Sequence, residues 1–231
     1  GLFINSAVLL VIMMSCVRWY KKHPLEDGAP KGGVGMIEAT VLSIYNDVIK
    51  GCIGENYRRY APYLLTAFFF VLVNNLMGLI PIFPGGANVT GNIAITLVLA
   101  LCTFVLTNVY GTKAYWKEIF WPDVPTWLKA PIPMMPLIEF FGIFTKPFAL
   151  MIRLFANIMA GHAAVLSLVA IIFITVKSGP VINGSMTVVS VAFSIFMNAL
   201  EILVAFIQAY VFTMLSAVFI GLSQVKEHAE K

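Results

Sequence analysis

Two apolar segments, 137–176 and 186–224, set the scale of anything this chain can fold into. Each runs for about 40 residues, ~60 Å as an α-helix, whereas the hydrocarbon core of a membrane is only ~30 Å thick. Each is therefore either two spans joined by a tight turn or one helix lying steeply across the layer. No cluster of Gly, Pro or polar residues marks a turn inside 148–176 or 186–220. The pattern predicts two long, strongly tilted helices, well beyond the usual tilt near ~20°. A short break with Lys177, Ser178, Gly179, Pro180, Asn183 and Gly184 separates them. Composition agrees: 60% of residues are hydrophobic and 11% charged, against about 25% charged in a soluble domain.

The rest of the chain reads as further spans of a single membrane domain over 1–231. Residues 2–20 form a first apolar run, followed by a Gly- and Pro-rich loop at 21–35. Arg18, Lys21 and Lys22 follow that run and no positive charge precedes it, so a retained span fits better than a signal peptide. Over 36–59, Met36, Ile37, Val41, Ile44, Val48 and Ile49 recur at helical spacing among Glu38, Asp47, Lys50 and Glu55. This is an amphipathic helix, lying on the membrane surface or packed on a partner at the soluble side. Spans at 61–80 and 92–112 enclose an uncharged loop at 81–91. A Trp- and Pro-rich loop follows, in which Trp116, Trp121 and Trp127 suit an interfacial belt. The fold class is all-α and polytopic: one N-terminal span, a surface helix, a two-span hairpin and two long C-terminal helices.

Charge placement gives a topology. Of the fifteen Lys and Arg, seven lie in 18–59, three in 113–129 and two in 226–231, which puts these segments on the inner side. The N-terminus is then outside and the C-terminus inside. No basic face of a folded domain suggests nucleic-acid binding. Cys16, Cys52 and Cys102 are widely spaced and form neither a metal pattern nor a disulfide framework. No metal site or cofactor is expected.

Ionisable groups inside a lipid layer are costly and persist when paired or wet. The two long segments carry few of them: Glu139, Lys146, Arg153, His162 and Glu201, with Asn157, Ser194, Asn198 and Gln208 as polar companions. At 100° per residue, Glu139, Lys146, Arg153 and Ala160 share one face, and Asn157 lies one turn from Arg153. The surface beyond the arginine is small: Ala156, Ala160, Gly161 and Ala164. Small residues let another helix come close. Glu139 is ~21 Å from Arg153 along a straight helix, too far to be its direct partner. That leaves Glu201 or an acidic group on a passing chain. His162 falls on the opposite face, as a packed neutral imidazole or as a proton carrier. Ser194, Asn198, Glu201, Ala205, Gln208 and Ser216 form a stripe on the last helix. Asn92, Thr96, Thr103 and Thr107 align in the third span, with Asn74 and Asn75 in the second, as a wet path or as interhelical hydrogen bonds.

The run Lys146-Pro147-Phe148-Ala149-Leu150-Met151-Ile152-Arg153-Leu154-Phe155-Ala156-Asn157-Ile158-Met159-Ala160-Gly161-His162 closely resembles the signature of the a subunit of rotary F-type ATP synthase. That signature is Arg-Leu-Phe-(Gly/Ala)-Asn, then Ala/Ser-Gly, then Glu or His. Asn75-Leu76-Met77-Gly78-Leu79-Ile80-Pro81, Asn88-Val89-Thr90, Glu201 and Gln208 extend the resemblance over about 2–225. It implies a stationary, non-catalytic subunit beside a ring of c subunits, each with a mid-membrane carboxylate, and a b-type peripheral stalk subunit, in a bacterial inner or mitochondrial inner membrane. Arg153 would match the arginine that separates two offset aqueous half-channels, so that proton flow drives ring rotation and ATP synthesis. His162 and Glu201 would match the outer pair, with the imidazole and carboxylate exchanged relative to the common bacterial pattern. Gly78 stands where many bacterial relatives have Asp. Asn157 and Gln208 would lie beside the arginine, Ser194 and Asn198 along the proton path, and Lys146, Glu139, Ala160 and Asn75 in ring-facing or supporting positions. The competing reading is a secondary transporter using Arg153 to bind an anionic substrate, which calls for inverted repeats and Gly- or Pro-broken helices.

Overall fold

In lipid every backbone N–H and C=O must find its partner within the protein, which leaves helices as the simplest spanning element. The computed structural model describes residues 2–22, 32–79, 93–120, 134–175 and 180–224, and all of the regular structure there is helical. The helices are α1 (Leu2–Lys22), α2 (Gly33–Ser43), α3 (Tyr57–Leu79), α4 (Ile93–Val109), α5 (Lys113–Phe120), α6 (Met134–Thr175) and α7 (Pro180–Ser223). Phe3–Lys22, Tyr57–Leu79 and Gly184–Ser223 are long and apolar enough to cross a membrane. The chain is a polytopic helical membrane protein.

The two long segments are indeed single helices. α6 has 42 residues and α7 has 44, about 63 and 66 Å at 1.5 Å per residue. Neither is interrupted, so the broken helices expected of a transporter do not occur in them. α7 starts at Pro180, earlier than the expected 186. Proline suits a first helical turn because its missing N–H has no intrahelical partner there. The loops expected at 81–91 and around Trp121 and Trp127 lie outside the described residues.

Two expectations change. The amphipathic segment is not one helix over 36–59. α2 passes into a π-helical stretch, Ile44–Lys50, then the single turn Gly51–Ile53 and a 3₁₀ turn, Gly54–Asn56. Gly54 takes φ 75°, a conformation open to glycine, and there the chain swings into α3, which starts at Tyr57 rather than at 61. Ile44, Val48, Ile49 and Ile53 are buried against α3 and α7, so this part of the apolar face is covered by the chain's own helices, while Met36 stays exposed. The stretch after α4, expected to be a loop, begins with α5, an amphipathic helix whose Tyr115 and Ile119 pack with Ile143 of α6.

The core sits toward the end of the bundle that holds Tyr57, Thr112 and Ser223. Leu64, Phe68 and Val71 of α3 meet Ala209, Phe212, Ala217 and Ile220 of α7 there, with Leu150 and Met151 of α6. Burial from lipid gains little hydrophobic free energy, so contact packing and interhelical hydrogen bonds hold the helices. The helix ends satisfy one another: the carbonyl of Ser223 accepts from Thr112 N (2.9 Å) and Thr112 Oγ1 (3.2 Å), and Gln224 Nε2 donates to the carbonyl of Tyr110 (2.6 Å). In contrast, the far halves of α6 and α7 expose Leu166, Phe173, Ile174, Val188, Val189 and Ile195.

Gly221 of α7 crosses the Gly51–Ile53 turn so closely that a β-carbon would run into the carbonyl of Cys52. Gly221→Ala is expected to cost about 1–3 kcal/mol through overpacking. In contrast, Gly142→Ala, where a β-carbon meets nothing within 4 Å, leaves stability unchanged or improved. Thermal melting of the two purified variants in one detergent checks this. Equal melting temperatures would show that the crossing is looser than described.

Candidate functional site

The site is built on the antiparallel pair α6 and α7, joined through 176–179. Its register is set by one close approach. A β-carbon on Gly161 would lie 2.6 Å from Glu201 Oε1 and 3.2 Å from Glu201 Cδ, so the missing side chain leaves room for the carboxyl group. Seven residues onward along α7 then lies level with seven residues back along α6. Gln208 therefore stands at the turn that carries Arg153. The same counting puts Phe219 near Ile143 and Lys146, and Lys146 Nζ is 5.6 Å from the Phe219 ring centroid.

Arg153 is exposed on α6, and Ala149, Ala156 and Ala160 on the same face are exposed with it. It pairs with no carboxylate among the described residues. Glu201 packs at Gly161, eight residues or ~12 Å along α6 from Arg153, so the internal pair with Glu201 left open by the sequence does not form. Glu201 is half-buried, and its Oε1 is enclosed without a hydrogen-bond partner among the described residues. Gln208 is buried and its Nε2 is likewise without a described partner. A carboxylate oxygen can only accept, and an amide nitrogen only donate. The pair thus offers one acceptor and one donor on one face of α7, two turns apart.

The other expected residues divide. For Glu139, Asn157 and His162 the backbone lies in α6 and the side chains are outside the described residues. Ala160 is on the exposed face. Asn198 is exposed and donates to the carbonyl of Ser194 (2.8 Å), so this part of the stripe bonds within its own helix. Asn75 is buried and donates weakly to the carbonyl of Ala205 (3.4 Å), one turn beyond Glu201. Lys146 turns into a cleft between α4, α5, α6 and α7. The aligned threonines of α4 are buried: Thr103 meets the hydroxyls of Tyr63 (2.9 Å) and Ser216 (3.3 Å), and Thr107 bonds back to the carbonyl of Thr103 (2.8 Å). Asn92 is outside the described residues.

Sequence reasoning missed Asn5. It is buried near the N-terminal end of α1 and donates to Asn74 Oδ1 (2.8 Å), tying α1 to α3. An asparagine inside an apolar run was the available signal. It also missed Gly161 as the seat of Glu201, which depends on the register of two helices and has no local signature.

Two uninterrupted long helices, with an arginine on one that meets no carboxylate among the described residues and a half-buried carboxylate on the other, define a helical membrane protein with ionisable groups in its long apolar helices. The chain belongs to the ATP synthase A chain family, whose model matches residues 2–221. It is 48% identical over 236 residues to an ATP synthase subunit a of Chlorobium phaeobacteroides, covering 99% of this chain and 65% of that one. It is 45% identical over 230 residues to the ATP synthase subunit a of Chloroherpeton thalassium (98% and 65%), and 43% identical over 225 residues to that of Myxococcus xanthus (95% and 70%). The chain thus spans a little under two thirds of the length of the first two relatives.

Gly161→Ala pushes its new methyl into the place of the Glu201 carboxyl. The end of a flexible side chain can move aside, so the fold should survive at a cost of about 1 kcal/mol. Thermal melting of the purified variant beside Gly221→Ala checks this. A loss as large as that of Gly221→Ala would mean that the Glu201 carboxyl cannot leave its seat at Gly161.

Proposed function

We propose that this chain is the stationary, proton-conducting subunit of a rotary ATP synthase, in which Arg153 keeps two aqueous half-channels apart. The observation that carries the reading is the state of Arg153: exposed, flanked by alanines, and without a carboxylate from the described part of its own chain. A central arginine costs roughly 2.5–3.5 kcal/mol on insertion scales, so a partner from outside the chain has to answer it. The alanine strip admits the close approach of such a helix. The partner of matching chemistry is a carboxylate carried past on a ring of c-type subunits.

The steps follow from charge. A guanidinium stays protonated and so cannot pass a proton along. A carboxylic acid that arrives beside it is driven to ionise, because a neighbouring cation lowers its pKa. The released proton leaves toward the inner side. As rotation carries the carboxylate away from Arg153, it must take up a proton before it can face lipid. Glu201 and His162 supply that proton from the outer side, with Asn157 and Gln208 flanking the arginine. An unperturbed imidazole changes charge between pH 5 and 8, which suits delivery at neutral pH. Each proton falling through 100 mV releases ~2.3 kcal/mol, which turns the ring. The subunit forms no chemical bond itself.

The remaining features take their place around this cycle. α6 and α7 lie strongly tilted, since ~60 Å of helix must fit a ~30 Å layer. The N-terminus is outside and the C-terminus inside, a topology that the basic clusters support. A b-type stalk subunit holds the chain against the turning ring. Glu139 and Ala160 stand on the ring-facing side.

Arg153→Ala is expected to abolish ATP-driven proton pumping into inverted membrane vesicles and to leave those membranes leaky. Glu201→Gln is expected to slow the flux while the complex still assembles. Normal dye quenching by the Arg153→Ala vesicles would overturn the proposal.

A further inference from the structure

The short helix α5 (Lys113–Phe120) has two unlike sides. Tyr115 and Ile119 are buried and pack on Ile143 of α6, with Phe104 of α4 beside them. Positions three, four and seven apart share a helical face, so the other side is a stripe of Lys113, Trp116, Lys117 and Phe120. Lys113 and Lys117 are exposed, Phe120 is 57% exposed and Trp116 is half-buried. The rings of Trp116 and Phe120 stack, with centroids 6.0 Å apart and planes 13° apart.

Hydrogen bonds fix the level of this stripe. The start of α3, the end of α4 and the end of α7 are tied together. Asn56 Nδ2 donates to Gln224 Oε1 (3.4 Å), Gln224 Nε2 to the carbonyl of Tyr110 (2.6 Å), and Thr112 N to the carbonyl of Ser223 (2.9 Å). Arg58, Arg59 and Lys113 stand at the same level, which marks the edge of the apolar bundle. α5 begins at this edge, where Thr112 Oγ1 accepts from Tyr115 N (3.3 Å). It then folds back along the side of the bundle, since Phe104 lies five residues or ~7.5 Å inside α4 from its end at Val109.

Rings gain by leaving water, while ammonium groups on long stems reach for phosphate and water. Both needs are met together where hydrocarbon gives way to headgroups. We propose that α5 is an interfacial anchor, lying on the phospholipid surface. Trp116 and Phe120 dip ~5–10 Å into the boundary between headgroups and acyl chains, and Lys113 and Lys117 reach the phosphates. The occupant of the stripe is lipid and not another protein chain. Two helical turns, ~12 Å long, offer far less than the ~800 Å² per partner of a stable protein interface. The anchor does not depend on how Arg153 acts.

The test reads the depth of Trp116 in the full chain, reconstituted into vesicles of phosphatidylcholine and phosphatidylglycerol. Trp19→Phe, Trp121→Phe and Trp127→Phe together leave Trp116 as the one tryptophan. Bromine at acyl carbons 6 and 7 should quench its fluorescence about twofold more than bromine at carbons 11 and 12, as an indole near the headgroup boundary requires. Equal quenching, stronger quenching from carbons 11 and 12, or none from either would overturn the anchor. A second readout keeps all four tryptophans, so it does not rely on the triple variant folding. Phe120→p-benzoylphenylalanine, photolysed in native membranes, should yield a phospholipid adduct by mass spectrometry. An adduct to another protein chain, or no lipid adduct, would equally overturn it.

Discussion

An arginine carried within a 42-residue apolar helix has to be answered by an anion or by water, and the geometry around Arg153 follows from that need. The alanines at 149, 156 and 160 leave its face open. The only acidic group that α7 offers, Glu201, is seated at Gly161, about two turns of α6 away. Had Glu201 stood at the level of Gln208, the two charges would have closed into a fixed pair and the face would have nothing to offer another chain. The missing side chain at Gly161 thus does more than permit close packing. It holds the internal carboxylate at a level where it cannot quench the arginine.

The rest of the bundle makes that separation rigid. Packing is concentrated at one end, where the segment Ile44–Ile53 wedges against α3 and α7 and the ends of α4 and α7 exchange hydrogen bonds. Helices in lipid gain little from burying apolar surface, so these contacts and the Tyr63–Thr103–Ser216 hydroxyl group carry much of the specificity of assembly. The opposite halves of α6 and α7 are apolar and uncovered by the described part of the chain, as surfaces against lipid must be. One end anchors, and the other presents.

Much of this was legible in the sequence because it rests on local pattern. Forty apolar residues without a break can only be one long helix or two short ones, and the lack of turn chemistry decided between them. Arg153 and Glu201 stood out as charges in the wrong solvent. The Arg-Leu-Phe-Ala-Asn run carried the family resemblance, which the match over 2–221 bears out. What escaped depends on partners distant in sequence. The Gly161–Glu201 seat needs the register of two helices. The Asn5–Asn74 tie joins residues 69 apart. α5 was hidden inside a Trp- and Pro-rich stretch, because eight residues are too few for periodicity to outweigh the breakers that follow. Lys146 shares a helical face with Arg153 on an ideal wheel, yet its long side chain swings into the cleft beside Phe219.

The central claim is that Arg153 is reserved for a carboxylate of another chain. A density map of the intact complex tests it most directly. The account predicts the guanidinium of Arg153 facing a carboxylate of a neighbouring ring subunit, within ~4–6 Å in at least one rotary state, with Glu201 still at Gly161. Arg153 paired with Glu201 or Glu139 of its own chain in every state would contradict it.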